Sequence, residues 1–217
     1  MNITILTDNP NSWIMPYVIK LKESLHMHII NHIYDIEEIK SGDIMLALSC
    51  EKIIPEEYLQ LHTSNIVIHP SRVPHGKGWS PLAWQVLEGC NKIPVSLFEA
   101  VERVDSGNVY LVKYIELEGN ELNDEIKHEQ GTLTIKMAKQ YIDNFDNSPG
   151  ISQNGIKRRY SLKETFYPKR TKKDSELDIK KSIKQQFNKL RVVDNERYPA
   201  FFIMNGQKYI LKVYTDE

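Results

Sequence analysis

The sequence predicts an α/β fold, an open Rossmann-like and mostly parallel sheet followed by a small C-terminal α+β appendage. Three observations predict it. Apolar runs of strand length alternate with segments of helical spacing through about the first 100 residues. Residues 43–49 are almost continuously apolar, as in a parallel strand that is covered on both faces. Beyond about residue 120 the alternation stops, and helical, irregular and hairpin-like segments follow.

The first part of the chain supplies the strands and helices of this sheet. The apolar runs of strand length are residues 2–8, 28–34, 43–49, 65–69, 93–101 and 109–117. Helices are predicted at 13–25, within 51–61, and at 81–89, where Gly89 ends the helix. Ser12 is the predicted N-cap of the first helix, and Pro16 lies in its first turn, where proline is tolerated.

The later part of the chain contains fewer regular elements. Residues 132–145 have the spacing of an amphipathic helix, and the turn-rich residues 146–155 are predicted to be a linker. Helical spacing returns at 179–193. Residues 200–214 are predicted to form a hairpin, because Asn205–Gly206 is a strong two-residue turn signal.

These segments predict two domains, residues 1–150 and a C-terminal subdomain of linker, helix and β-hairpin, residues 151–217. The hairpin is too small to hold a core of its own and has an apolar face. We therefore expect the hairpin and the preceding helix to pack on the first domain or on a second copy, giving a homodimer.

Composition limits the function classes. The chain has 217 residues, of which 41% are hydrophobic, and a formal net charge of −1. The chain is therefore long and apolar enough to bury a hydrophobic core. Its net charge creates no overall positive field that would recruit nucleic acid or an anionic membrane. Two cysteines, Cys50 and Cys90, form no disulfide framework and suit a reducing compartment. The N-terminus lacks a basic signal-peptide region, and no run approaches the ~18 apolar residues of a membrane span. We expect a soluble, cytoplasmic protein.

The candidate chemistry lies where strands end. Ligands of open α/β sheets bind outside the carboxyl ends of the strands, and the breaks at 8–13, 49–55 and 69–81 follow such ends. His69 ends one strand, and Asp105 lies in a later turn. A carboxylate on one imidazole nitrogen would fix the tautomer and leave the other nitrogen free for proton transfer. A structural or solvated histidine and an ordinary turn aspartate remain the alternatives.

Other motifs give no site. The chain contains no P-loop and no G-x-G-x-x-G motif, although "HGKGW" has two glycines that would let the backbone approach a ligand closely. No metal site is expected at His26, His28 and His32, because no cysteine or carboxylate completes a ligand set. Cys50 lacks a nearby activating base. The basic segment 157–173 is predicted to be a solvated linker, with RNA contact as the alternative.

Two stretches resemble the folate-dependent formyltransferases, the superfamily of methionyl-tRNA formyltransferase, glycinamide ribonucleotide transformylase and the sugar N-formyltransferases. They are "IHPSRVPHGKGWSPLAWQVLEG" and "FEAVERVDSGNVYLVKYIEL". The His-x-Ser-x-x-Pro loop of the family matches at His69, Ser71 and Pro74, and the spacing to Asp105 agrees. Residues 49–59 resemble the family's pterin-contacting loop, and 167–202 resemble the bridge out of the catalytic domain.

The resemblance implies transfer of a formyl group from 10-formyltetrahydrofolate, a co-substrate, to a primary amine, with no metal. His69 would take up the proton of the amine, and Asp105 would orient His69 and support its charged form. The pterin of the folate would contact backbone groups of two segments, which match its donor–acceptor edge whatever the side chains are. These segments comprise Lys52, Ile53 and Ile54, and Glu102, Arg103, Val104 and Asp105.

One position departs from the family pattern. The family carries Asn two residues before the histidine, where it bonds the formyl oxygen, and this chain has Val67 there. Asn65 is on the same face of the strand but roughly 13 Å from His69, so it needs a bulge or bend to act as the missing donor. A protonated His69, a backbone N–H of the loop or a water are the alternatives.

The predicted acceptor is an amino sugar attached to a nucleotide, as in cell-surface polysaccharide biosynthesis. Asn9, Asn11, Ser12 and Trp13 suit a base and a diphosphate at a helix N-terminus. Lys77 and Trp79 would close the other side of the site. The small net charge and the short segment after the linker argue against initiator tRNA. The alternatives are a formyltransferase for aminoacyl-tRNA or another amine, a formyltetrahydrofolate hydrolase, and a non-catalytic folate- or nucleotide-binding protein.

Overall fold

A six-stranded sheet forms the centre of the protein in a computed structural model, which describes residues 1–147 and 162–216. The strands of the sheet are β1 (Asn2–Leu6), β2 (Ile29–Ile33), β3 (Gly42–Ala47), β4 (His62–His69), β6 (Lys92–Glu99) and β7 (Val109–Glu116), and the two-residue β5 (Lys77–Gly78) lies outside it. Their order is β2-β1-β3-β4-β6-β7. The first four strands are parallel, whereas β6 is antiparallel to both of its neighbours. The predicted open, mostly parallel sheet is confirmed.

The remaining elements surround or follow the sheet. The helices are α1 (Met15–Ser24), α2 (Glu56–Leu59), α3 (Pro81–Leu87), α4 (Asn123–Asn147) and α5 (Phe187–Arg191), with single 3-10 turns at Ile36–Glu38, Lys172–Ser175 and Lys184–Gln186. The later strands are β8 (Phe166–Tyr167), β9 (Ala200–Met204) and β10 (Gln207–Leu211). β9 and β10 are the predicted hairpin, and Asn205 and Gly206 both have positive φ, as the turn requires.

Several predicted boundaries differ from the structure. Ser12 is not an N-cap, because α1 begins after Ile14 without a side-chain cap, and the Ser12 carbonyl accepts the N–H of Met15 at 3.1 Å. The predicted helix 132–145 is only part of α4. The first two residues of the predicted linker end α4, and the remainder of the linker lies outside the described residues.

The helix predicted at 179–193 is shorter in the structure, where only the 3-10 turn Lys184–Gln186 and α5 are helical. The Gln186 side chain accepts the N–H of Asp178 at 3.0 Å and donates to the carbonyl of Lys181 at 3.3 Å. The N–H of Ser182 similarly donates to the side chain of Gln185 at 2.9 Å. These side-chain bonds replace the helical ladder, and helical spacing alone does not reveal that competition.

The two faces of the sheet bury different clusters. Ile66 and Ile68 of β4 belong to the main core beneath α1 and α4, whereas Val67 packs against a second cluster that contains Leu59 of α2. Because side chains alternate along a strand, His69 lies on the same face as Val67. The alternation of β4 therefore places the candidate histidine over the second cluster.

The C-terminal elements pack on the earlier part of the chain through α5. Arg191 is only 1% exposed, and its guanidinium bonds the side chains of Glu121 at 3.0 Å and Asn91 at 2.9 Å. Val192 belongs to the main core. The hairpin leaves four apolar side chains exposed, those of Ile203, Met204, Tyr209 and Ile210. A second copy could cover them, and the homodimer stays a prediction.

Candidate active site

The first two loops at the carboxyl edge of the sheet are joined by Asp8, directly after β1. Its Oδ2 accepts the backbone N–H of Glu51 and, at 2.9 Å, that of Lys52. The hydroxyl of Ser12 also lies 3.4 Å from that of Ser49. Sequence reasoning missed Asp8, although a carboxylate immediately after a strand was the available signal. One consequence is that the N–H of Lys52 is already used.

His69 is the last residue of β4 and is half-buried. Its Nε2 lies 3.2 Å from the carbonyl oxygen of Gly76. A carbonyl can only accept, so Nε2 carries the proton, and Nδ1 holds the lone pair in the neutral ring. Burial lowers the pKa of His69, while the charge of Asp105 and the bond to Gly76 oppose that shift. The lowered pKa favours the neutral ring near pH 7, and Nδ1 makes no hydrogen bond within residues 1–147 and 162–216.

Asp105 lies in the turn between β6 and β7 with φ of 51°, in the left-handed region that aspartate tolerates. Its Oδ2 accepts the N–H of Gly78 at 3.2 Å. The sequence predicted that this carboxylate would orient the imidazole, but within residues 1–147 and 162–216 the ring's hydrogen bond goes to Gly76. Asp105 acts on His69 through its charge.

Lys77 does not face an acceptor site. Its side chain is 6% exposed, and its Nζ lies 2.9 Å from Glu164 Oε1, 2.8 Å from Ser106 Oγ and 3.4 Å from the Val104 carbonyl. The pairing of β5 with β8 buries this lysine against the turn that carries Asp105. The prediction that Lys77 contacts a diphosphate is wrong, because its three donors are already used inside the protein.

The glycines of "HGKGW" accommodate residues 164–168, here called the bracing segment, which includes β8. The N–H groups of Lys77 and Trp79 donate to the Thr165 and Tyr167 carbonyls, each at 3.0 Å. Gly78 has φ of 92°, and a Cβ there would lie 2.5 Å from the Tyr167 carbonyl oxygen. The close approach that the sequence indicated is made by the chain itself rather than by a ligand.

Asn65 does not supply the missing donor. It is 5% exposed, and its Nδ2 donates to the Leu59 carbonyl at 2.8 Å, at the end of α2. The N–H of Ser71 in the "HPS" loop donates to the His69 carbonyl at 2.8 Å, which removes that candidate as well. A protonated His69 or a water remains as the donor to a developing oxyanion.

The predicted folate contacts lie on two loops that border the second cluster. Ile54 belongs to that cluster, and Ala100 packs against it. Three neighbouring side chains on these loops are exposed, Ile53 at 68% together with Val101 and Val104. An exposed apolar patch of this kind would suit the flat face of a pterin.

The charged residues of these loops are exposed and paired with other side chains. Lys52 Nζ lies 3.9 Å from Asp35. Arg103 Nη2 lies 2.9 Å from Glu164 Oε2, and Glu102 is exposed. The side chains of Lys52 and Arg103 are thus paired with other side chains of the protein.

The predicted acceptor residues lie on both sides of this edge. Asn9 and Asn11 are exposed, and Trp13 is half-buried, packing against the main core with its ring centroid 6.2 Å from that of Tyr17. Across the edge, Lys169 Nζ lies 4.1 Å from the ring centroid of Trp79. Lys169 also pairs with Glu51 at 3.0 Å, linking Trp79 to the second loop. Sequence reasoning assigned Lys169 to a solvated linker, with RNA contact as the alternative.

Other reactive groups contribute nothing to this site. Burial and the charge of Asp8 raise the pKa of the Cys50 thiol to about 12, so the thiolate is not accessible near neutral pH. No cluster of three or more His, Cys, Asp or Glu side chains arranged to hold a metal ion occurs in residues 1–147 and 162–216.

None of the helices in this part of the chain is long and apolar enough to cross a membrane.

Comparison with known proteins gives a consistent family assignment. Residues 31–137 match the family described as formyl transferase. Methionyl-tRNA formyltransferase of Ehrlichia canis (strain Jake) is 27% identical over 179 residues, 80% of this chain and 55% of that protein. The chain spans about half the length of the curated relatives it matches.

Solved structures share the fold. Methionyl-tRNA formyltransferase from Clostridium thermocellum superposes with a TM-score of 0.77 at 19% identity, over 100% of this chain and 94% of that one. A sugar N-formyltransferase from a Shewanella species gives 0.72 at 13% identity, over 100% and 98%. At these identities the likeness concerns the fold alone.

Proposed function

We propose that the chain is a folate-dependent N-formyltransferase acting on the primary amine of a nucleotide-linked amino sugar, since residues 31–137 match the formyl transferase family. The observation that carries this proposal is the neutral His69, whose Nδ1 is free at the carboxyl edge of the sheet and near the charge of Asp105. Bound 10-formyltetrahydrofolate would supply the formyl carbon that the amine attacks and a nitrogen that leaves with a proton.

His69 carries the proton in this scheme. Its Nδ1 accepts the proton that the attacking amine loses as the new C–N bond forms. The imidazolium is stabilised by the negative charge of Asp105 and in turn stabilises the developing oxyanion, since Asn65 and the Ser71 N–H are engaged elsewhere. Delivery of the same proton to the leaving nitrogen restores the neutral ring.

Two observations favour a nucleotide-linked amino sugar as the acceptor. The formal net charge of −1 provides no general attraction for a polyanion such as tRNA. The exposed amide side chains of Asn9 and Asn11 lie at the same sheet edge as His69, where they would meet the hydroxyl and phosphate groups of such a substrate.

Aminoacyl-tRNA is the second candidate acceptor. The curated relatives that the chain matches are named methionyl-tRNA formyltransferases. The two candidates differ strongly in size and charge, so one assay separates them.

The test is a mass-spectrometric screen of nucleotide-linked amino sugars and methionyl-tRNA with 10-formyltetrahydrofolate. The expected result is a gain of one formyl group on an amino sugar, with tetrahydrofolate released only when the amine is present. Release without amine would instead indicate a hydrolase, and binding without release a non-catalytic protein. Formylation of methionyl-tRNA alone would replace the proposed acceptor.

A further inference from the structure

The bracing segment touches the candidate site from a part of the chain that follows the predicted linker. We infer that Thr165, in this segment, is a positioning residue that sets the tautomer of His69 by fixing Gly76. The inference rests on the proposed function insofar as it predicts turnover, whereas the tautomer can be observed without turnover.

The first part of the argument concerns one peptide plane. The carbonyl of Gly76 and the N–H of Lys77 belong to the same planar trans unit and point in opposite directions. The carbonyl accepts from His69 Nε2 at 3.2 Å, and the N–H donates to the Thr165 carbonyl at 3.0 Å. The plane is thus held between the catalytic ring on one side and the bracing segment on the other.

The second part concerns the Thr165 hydroxyl. Its Oγ1 accepts the N–H of Gly76 at 2.8 Å and lies 3.1 Å from Nδ1 of His75. Gly76 has φ of 75°. Glycine adopts positive and negative φ about equally readily, so its own backbone preference does not fix this conformation and the neighbouring contacts must. The backbone and side chain of Thr165 therefore fix the two peptide planes that flank Gly76.

The tautomer follows from this arrangement. While the Gly76 carbonyl is fixed, Nε2 must be the protonated nitrogen, and Nδ1 can accept the proton of the amine. If Gly76 loses the hydroxyl that holds its N–H, one of its two restraints is gone, and the bond from the Lys77 N–H to the Thr165 carbonyl alone holds the plane. The Gly76 carbonyl can then shift away from the ring more easily. The ring is then free to carry its proton on Nδ1, a form that cannot act as the base.

The bracing segment stays docked without the Thr165 hydroxyl. Tyr167 stacks on Trp84 of α3 with ring centroids 6.2 Å apart and donates to Glu88 at 2.7 Å. Glu164 pairs with Lys77 at 2.9 Å and with Arg103 at 2.9 Å. A hydroxyl deletion at position 165 therefore tests the position of Gly76 rather than detachment of the segment.

The experiment compares Thr165→Val, which is nearly isosteric, with Thr165→Ser, which keeps the hydroxyl. Thr171→Val is the control, since Thr171 donates to Asp174 at 3.0 Å within the same C-terminal part and makes no bond to the loop 74–79. Imidazole ¹H–¹⁵N correlation spectra, with His69 assigned by its loss in His69→Gln, report the tautomer. Thermal unfolding of each variant shows that it is folded, and Thr165→Ala replaces Thr165→Val if it is not.

Wild type, Thr165→Ser and Thr171→Val should show a His69 ring protonated on Nε2, and Thr165→Val or Thr165→Ala should populate the Nδ1 form. Under the proposed activity, loss of the hydroxyl should lower kcat by about tenfold to a hundredfold, with both KM values within about twofold. An unchanged tautomer in the folded Thr165 variants would overturn the inference. A wild-type protein that formylates no amine would refute the proposed function, and the spectra would still decide the role of Thr165.

Discussion

Glu99 Oε1 accepts the backbone N–H of Asn65 at 2.5 Å, at the point where the ladder between β4 and β6 ends. Its Oε2 accepts the hydroxyls of Ser64 at 2.8 Å and Tyr110 at 2.9 Å. Burial raises the pKa of this carboxyl, whereas the donated hydrogen bonds oppose the shift. One side chain therefore accepts hydrogen bonds from three donors.

Replacing Glu99 should destabilise the fold. Glu99→Gln replaces one carboxylate oxygen by an amide NH₂, which cannot accept the hydrogen bonds made at that position. We expect the free energy of unfolding to fall by about 1–3 kcal/mol. Urea denaturation measures this change. Glu116→Gln on β7, where the carboxylate pairs with Lys92 at the surface at 2.6 Å, is the control and should have a much smaller effect.

The buried His62 should make the free energy of unfolding sensitive to acid. The residue is 7% exposed, its Nε2 lies 2.9 Å from Thr4 Oγ1, and its Nδ1 has no hydrogen-bond partner among residues 1–147 and 162–216. Burial lowers the pKa of His62, with the charge of Asp43 opposing. The unfolded chain therefore takes up the proton first, at a pH of about 6.5, and stability is lost as pH falls from there towards the lowered folded pKa.

Urea unfolding between pH 7.5 and 5 tests that step. The slope of stability against pH should be smaller in His62→Gln than in wild type, because one buried titrating group is gone. His26→Gln, at an exposed position, should keep the wild-type slope. Equal slopes in all three proteins would exclude His62 as the source, leaving His32 and His69, whose pKa values burial also lowers.

The proton-handling pair should be visible in turnover. His69→Ala and Asp105→Asn should each lower kcat by ~100-fold or more while the proteins remain folded. The double variant should lose less than the product of the two effects, since Asp105 acts through His69. Steady-state kinetics with the identified acceptor measures this, with His26→Gln as the control. Near-normal turnover in either single variant would place the chemistry elsewhere.

Gly78 should tolerate no side chain. In Gly78→Ala the added Cβ lies 2.5 Å from the Tyr167 carbonyl oxygen, in addition to the strain of φ at 92°. Gly206→Ala is a matched control, because Gly206 has φ of 79° but nothing within 4 Å of an added Cβ. The control should cost about 1 kcal/mol. Gly78→Ala should cost clearly more in urea unfolding and should increase hydrogen exchange at Trp79; equal costs would show that the bracing segment can yield.

The sequence alone determined the fold class and the position of His69, because both depend on local signals. Strand-length apolar runs, the Asn205–Gly206 turn and a histidine at a strand end are properties of a few neighbouring residues. The topology rule for open sheets then placed His69 at the ligand edge. The hairpin and the six strands of the central sheet appear where these patterns indicated them.

Only the tertiary structure decided what holds the site. β5 and β8 have two residues each, too few for any periodicity, yet their pairing buries Lys77 and brings Thr165 to Gly76. The partner of Lys77 is Glu164, almost ninety positions along the chain, and no spacing rule links the two. The sequence likewise left Asn65 as a possible donor to the formyl oxygen, but in the structure its side chain donates to the carbonyl of Leu59 in α2. A buried polar group bonds whichever partner folding brings near, so its role depends on contacts that sequence order does not encode.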